Sequence, residues 1–204
     1  MINESNSTLL ESIEKQIPYY LTEDAKKGLT QALNDFPKNT QYYLSKSTEL
    51  SEVLLQGDLF AELPVQQGEK TKLIKGIILS NSCDISPDNK RDLPVNVLFA
   101  PLVSLDSYSQ HLRAAGLKDD AINSKIEMIR LQKITNIFYL PESIDNNRPE
   151  CIIYLDCVYF LRSSSILQLL EDGKKISTLS QVGFYIFLLK LSVHFCRFHE
   201  CVHR

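Results

Sequence analysis

The chain has 204 residues, of which 44% are hydrophobic and 23% charged, and its formal net charge is -3. Such a length and composition support one generous domain, or a smaller domain with a helical appendage, and exclude wholesale disorder. The acidic balance excludes a chain that coats nucleic acid through a general basic surface, which works by counterion release, and leaves room only for a local basic patch.

Residues 1–55 read as an N-terminal helical region. Leu9, Leu10, Ile13 and Ile17 recur at helical spacing before Pro18. Thr22 can cap a second helix with Glu23 and Asp24 in its first turn, and Leu29, Leu33 and Phe36 supply its stripe until Pro37. From Gly57 the pattern changes to short apolar runs between turn signals. Leu59–Leu63 is a strand, Gln66–Glu69 a turn, and Leu73–Leu79 a more buried strand that runs into the polar corner Ser80-Asn81-Ser82-Cys83-Asp84. Ser86–Lys90 is a loop, and Val95–Ala100 a third strand closed by Pro101.

A helical insertion follows at about 105–137, its two parts meeting near Gly116. Ile137–Leu140 is a strand ending at Pro141, residues 142–150 are turn-like, and Cys151–Phe160 is one β-prone run. Ser163-Ser164-Ser165 opens a short helix that Asp172-Gly173 ends, and Ser180 caps a long C-terminal helix. That last helix is apolar nearly all round from Val182 to Phe195, interrupted by Lys190 and His194. It is too short for a membrane span, which needs about 20 apolar residues. The reading is a helix buried in the core, or one set against a partner.

Five cysteines, Cys83, Cys151, Cys157, Cys196 and Cys201, form an odd and scattered set. With a polar Met1–Ser5 and no leader-like segment, they are expected to be reduced thiols in a cytoplasmic protein.

Three groups of residues carry candidate chemistry. Cys83 and Asp84 follow the buried strand and would display a thiol and a carboxylate, or else be a packed residue and a turn cap. Lys70, Lys72, Lys75, Lys90 and Arg91 gather around the same corner, where they would meet nucleic acid or simply solvate a face. His199-Glu200-Cys201-Val202-His203 has the H-E-x-x-H spacing that sets two imidazoles one helical turn apart for zinc, with Glu200 as general base and Cys196 as a further ligand. The other reading of that turn is a salt-bridged face, or arginines offered to phosphates, because Arg197, Glu200 and Arg204 fall at i, i+3 and i+7.

In order along the chain, Gly57-Asp58-Leu59-Phe60, Gly68-Glu69, Lys75–Asn81, Val97–Leu102, Tyr154–Val158 with Leu161-Arg162 and Ile166-Leu167, and Ile176–Ser180 resemble the MazF/PemK family of small barrel toxins. The same segments are similar to a set of uncharacterised bacterial proteins, often found near mobile elements, that share a Ser-x-x-Cys-Asp-Ile corner and a Phe-Tyr-Leu-Pro strand. The first resemblance implies an α+β fold: a small SH3-like (MazF/PemK-like) β-barrel over 56–204, with N-terminal helices, the helical insertion and the long C-terminal helix. It also implies metal-independent cleavage of single-stranded RNA, in which a 2′-hydroxyl attacks its own phosphate. Lys75 stands at the position of the family's arginine and would stabilise phosphate charge, with Asp84 or Ser104 moving the proton and Cys83 nearby.

Lysine keeps the charge of an arginine and loses its planar fork. A non-catalytic subunit that binds protein or nucleic acid is therefore the alternative, with Lys72, Lys90, Arg91, Arg197 and Arg204 as nucleic-acid contacts. The resemblance further implies a bacterial toxin–antitoxin or phage-defence setting, a protein partner such as an antitoxin, and a homodimer. No cofactor is expected, and zinc enters only through the C-terminal motif.

Overall fold

The computed structural model of the protein describes residues 41–44, 50–89, 91–143 and 147–195. The chain divides into two compact units, 1–41 and 42–204. The helices expected before residue 41 lie outside the described residues. The second unit begins at Tyr42, ahead of the boundary expected after residue 55, because the segment from Tyr42 belongs to the sheet region. Tyr43 bridges Leu179, Leu44 N–H donates to the Thr178 carbonyl at 3.1 Å, and Ser180 N–H donates to the Tyr42 carbonyl at 2.9 Å.

The unit is α+β. Its strands are β1 (Leu59–Gln67), β2 (Lys70–Ile78), β3 (Asn96–Ser104), β4 (Ile137–Leu140), β5 (Cys151–Tyr154), β6 (Tyr159–Arg162) and β7 (Lys175–Ser177). Its helices are α1 (Ser82–Ile85), α2 (Leu105–Ala114), α3 (Asp119–Arg130), α4 (Ser163–Glu171) and α5 (Gln181–Phe195). The strands form one antiparallel sheet of seven in the order β4-β5-β3-β2-β1-β7, with β6 also on β3.

The expected closed barrel is not what the described residues form. The sheet stays open, with β4 at one end and β7 at the other, because the β4–β5 hairpin extends it away from β7. The expected single run Cys151–Phe160 is two strands. Both lie along β3, β5 opposite Leu102–Ser104 and β6 opposite Asn96–Phe99, and the turn after Tyr154 takes up the extra residues between them.

Pro101 does not close β3 as expected. The strand runs on to Ser104, and Pro101 falls where the ladder to β2 stops and the ladder to β5 starts. A residue without an N–H costs no ladder bond at such a junction.

Two apolar clusters fill one face of the sheet. Phe60, Leu63, Val65, Ile78, Val97 and Phe99 pack with Ile166 of α4. Tyr139 and Ile152 pack with Leu105, Leu112, Ile122 and Ile129 of the α2–α3 hairpin. The hairpin is locally well specified: Ser104 caps α2, Asp119 and Asp120 sit in the first turn of α3, and Gly116 at φ 86 turns the chain between them.

On the opposite face Phe187 of α5 lies 5.0 Å from Phe138, ring to ring. Ser180 accepts from Gly183 N–H at 3.0 Å, as its position before the helix requires. A Cβ at Gly183 would stand 2.3 Å from the Tyr42 carbonyl oxygen, so the glycine is what lets α5 approach that backbone. Gly183→Ala is expected to destabilise the unit by about 2 kcal/mol, read as an earlier midpoint in urea unfolding; an unchanged midpoint would remove this close-approach role.

Candidate functional site

The polar corner is built first by its own backbone needs. Leaving β2, the chain must satisfy the free N–H groups of a one-turn helix and of its neighbours. Asn81 accepts from Cys83 N–H at 2.9 Å, Ser82 Oγ accepts from Gln56 N–H at 2.8 Å, and Ser80 Oγ accepts from Leu98 N–H at 2.8 Å. Asn89 donates to the Cys83 carbonyl at 2.9 Å. The small polar residues of this corner are thus occupied in holding it against β3 and the segment before β1. Cys83 is exposed rather than packed, and its thiol is free. Asp84 pairs with Arg91 at 2.7 Å, both side chains well exposed.

A second group lies elsewhere on the sheet. In an antiparallel ladder, paired residues share a face, and so do alternate residues along a strand. The pairs Ile77↔Ala100, Leu102↔Ile153 and Ser104↔Cys151 therefore lie on one face. Lys75, two residues before Ile77, belongs to it too and is exposed. The Ser104 hydroxyl is committed to α2, accepting from Ser107 N–H at 3.1 Å and donating to Ser107 Oγ at 2.6 Å.

Of the four residues expected to act together, Lys75 and Ser104 share this face, and Cys83 and Asp84 do not join them. The corner is anchored at Leu98. From there to Ser104 is about six residues of β3, roughly 20 Å at the usual rise per residue.

The structure also buries an arginine that sequence reading missed. Arg148 is buried, 5% exposed, in the segment read as a polar turn. Its backbone exchanges two hydrogen bonds with Ser143, at 2.9 and 3.0 Å. Its guanidinium carbon lies 4.5 Å over the Tyr43 ring, and Nη2 donates to the Pro141 carbonyl, which also accepts from the Tyr43 hydroxyl at 2.9 Å. Nε and Nη1 have no hydrogen-bond partner among the described residues.

The nearest carboxylate along the chain is engaged elsewhere. Glu150 takes Arg130 Nε at 2.8 Å and Nη2 at 2.7 Å and also accepts from the Tyr139 hydroxyl. Arg130 holds the Glu150 carboxyl below the usual range, and burial holds the Tyr139 phenol above its own.

Both cations, Arg148 and Lys75, act on the Cys151 thiol. Burial pushes it up, and Arg148 and then Lys75 pull it back. Burial also pushes up the Tyr43 phenol, again with Arg148 opposing. The one hint of Arg148 in the sequence is its place in Arg148-Pro149-Glu150-Cys151, where the proline holds the arginine extended as the chain enters β5.

The remaining expected contacts are dispersed. Lys72 is exposed near the β1–β2 turn, where Gln67 pairs with Lys70. Lys90, Cys196, Arg197, His199, His203 and Arg204 lie outside the described residues. Among the described residues no group of three or more His, Cys, Asp or Glu side chains could hold a metal ion, and no helix is long and apolar enough to cross a membrane. No protein-family model matches the chain, and no curated protein matches it.

Proposed function

We propose that the chain is a MazF/PemK-like module, its barrel opened by the added β4–β5 hairpin, that serves a bacterial toxin–antitoxin or phage-defence system by holding RNA through its phosphates. The observation that supports it is Lys75, exposed at the middle of β2 on the sheet face that also carries Ser104. An ammonium so placed meets a phosphate as a point charge.

Binding without cleavage is favoured over a metal-independent endoribonuclease. In-line attack by a 2′-hydroxyl needs groups that take and give a proton at the phosphate. Asp84 is tied to Arg91 at the far end of the strand and Ser104 caps a helix. A protein partner, such as an antitoxin, belongs to the same reading. Leu98 and Phe160 are directly paired on β3 and β6 and are 43% and 63% exposed, an apolar pair suited to being covered.

The test is a single-stranded RNA of mixed sequence, with binding and chain integrity followed together. The expected result is intact RNA, bound by the wild type and about tenfold more weakly by Lys75→Ala, with a shallower salt dependence. Absence of binding would sink the reading. Cleavage that persists in EDTA and disappears in Lys75→Ala would replace it with the nuclease.

A further inference from the structure

We propose that the outer edge of β6 is a docking site for one extended strand of a partner protein, which sets an apolar residue opposite Phe160 and an acidic one opposite Arg162. The proposal rests on the protein-partner part of the function above and is independent of RNA. In an antiparallel ladder, directly opposed residues alternate between pairs that exchange hydrogen bonds and pairs that do not. Leu98 spends both backbone groups on the β2 side: its N–H donates to Ser80 Oγ at 2.8 Å, and its carbonyl accepts from Leu79 N–H at 2.8 Å. Leu98↔Phe160 is therefore a pair without hydrogen bonds, and so, two places on, is Asn96↔Arg162. Ser163 N–H, at an intervening place, reaches the Val95 carbonyl at 3.0 Å, as this alternation requires. The N–H and carbonyl of Phe160 and the N–H of Arg162 thus point away from β3, where no described strand pairs with β6.

The other free edges are covered or blunted in ways that β6 is not. A bare edge invites a further strand, and proteins cover it or load it with lysine or proline. At β4 the Gln132 side chain accepts from Tyr139 N–H at 3.1 Å and donates to its carbonyl at 2.7 Å, in place of a neighbouring strand. Just past β7, Tyr43 bridges Leu179 and Leu44 N–H donates to the Thr178 carbonyl. The projecting end of the β1–β2 hairpin carries Pro64, Lys70 and Lys72. At β6, Phe160 is exposed beside exposed Leu98, and Arg162 is exposed with no ion-pair partner among the described residues.

These features select the occupant. In strand addition, main-chain bonds give affinity and alternate side chains give specificity. The residues opposite Phe160 and Arg162 stand two apart on the incoming strand and share a face, so a glutamate two places before a valine suits the antiparallel sense of this sheet. A second copy of the chain fits less well. Leu98 and Phe160 together leave on the order of 200 Å² exposed, against roughly 800 Å² per partner in a stable dimer.

The probe is a short, blocked, dye-labelled peptide of threonines that carries a glutamate two places before a valine, followed by fluorescence anisotropy on the full chain. A Kd of about 100 μM is expected, with a preference of about threefold over the same peptide carrying lysine for glutamate. Phe160→Lys should weaken binding about tenfold, and Arg162→Glu should reverse the preference. Both side chains are exposed, so both variants should keep the wild-type urea midpoint. N-methylating the valine, whose N–H would meet the Phe160 carbonyl, should abolish binding. No binding at about 1 mM peptide, or equal binding of the methylated peptide or by Phe160→Lys, would overturn the site. A wild-type dimer in sedimentation that Phe160→Lys converts to monomer would overturn the peptide in favour of a second copy. RNA held through Lys75 with no peptide bound keeps the RNA reading and overturns the edge; peptide bound with no RNA does the reverse.

Discussion

Asp58→Ala is expected to lower the stability of the 42–204 unit by about 3–5 kcal/mol, the usual cost of removing one partner from a buried ion pair. Asp58 is fully buried. One carboxylate oxygen lies 2.8 Å from Lys175 Nζ and 2.7 Å from Leu55 N–H, and the other accepts from the Thr178 hydroxyl at 2.8 Å. Lys175 in turn donates to the Leu50 and Val53 carbonyls at 2.8 and 2.7 Å. The pair therefore ties the segment before β1 to β7, and its loss leaves an ammonium buried with only carbonyls to answer it. Urea unfolding of Asp58→Ala, and of the double variant Asp58→Ala with Lys175→Met, would check this. The double variant should regain part of the loss, since it no longer buries an unpaired charge. Equal stability of wild type and Asp58→Ala would show that the network contributes nothing.

A large effect of pH is expected from Lys190. It is 6% exposed on α5 and donates to the Gln132 carbonyl at 2.7 Å. Burial lowers its pKa from the ordinary 10.5 to about 8. Above pH 8 the unfolded chain thus keeps a proton that the folded chain has released. Stability therefore rises with pH from about 8 toward the unfolded value, by about 2 kcal/mol between pH 8 and 9.5.

The neutral amine still donates to Gln132, so nothing is lost as the proton leaves. Lys190→Met should flatten this rise and should be the more stable protein at pH 7. A wild-type profile as flat as that of the variant would overturn this account. Gln132, whose side chain donates to the Tyr139 carbonyl at 2.7 Å and accepts from its N–H at 3.1 Å, is the point where α5 meets β4.

Much of the fold was legible because local chemistry and tertiary need agree. Short apolar runs between turn signals found β1, β2 and the β3 core. Gly116 marked the α2–α3 hairpin, and Ser180 capped α5 as its place required. The errors fall where one residue serves two neighbours. Pro101 is a stop signal in a strand read alone, and it is tolerated here because β3 changes partners there. The run Cys151–Phe160 is uniformly β-prone, and only its pairing along β3 shows that the residues after Tyr154 have no place in the ladder.

The candidate site was legible to a smaller degree, for a reason of distance. Lys75 was singled out because it stands where the resembled family has its arginine, at the start of a recognisable buried strand. Cys83 and Asp84 were grouped with it because they are close along the chain, although a strand carries its two ends apart. Arg148 was missed because its surroundings are distant in sequence. Tyr43 faces it from more than a hundred residues away, and Arg130 on α3 takes up the Glu150 carboxylate that stands two residues along the chain.

The sequence by itself determined the α+β character, the order of strands and helices, and the exposed lysine on the central strand, because periodicity, caps and turns act over a few residues. Only the tertiary structure decided that the sheet stays open and that Asp84 pairs with Arg91. It also decided that Arg148 is buried while the Glu150 carboxylate is taken by Arg130. Each of these depends on which distant groups share a face, and burial turns an ordinary arginine into a charge that needs a partner.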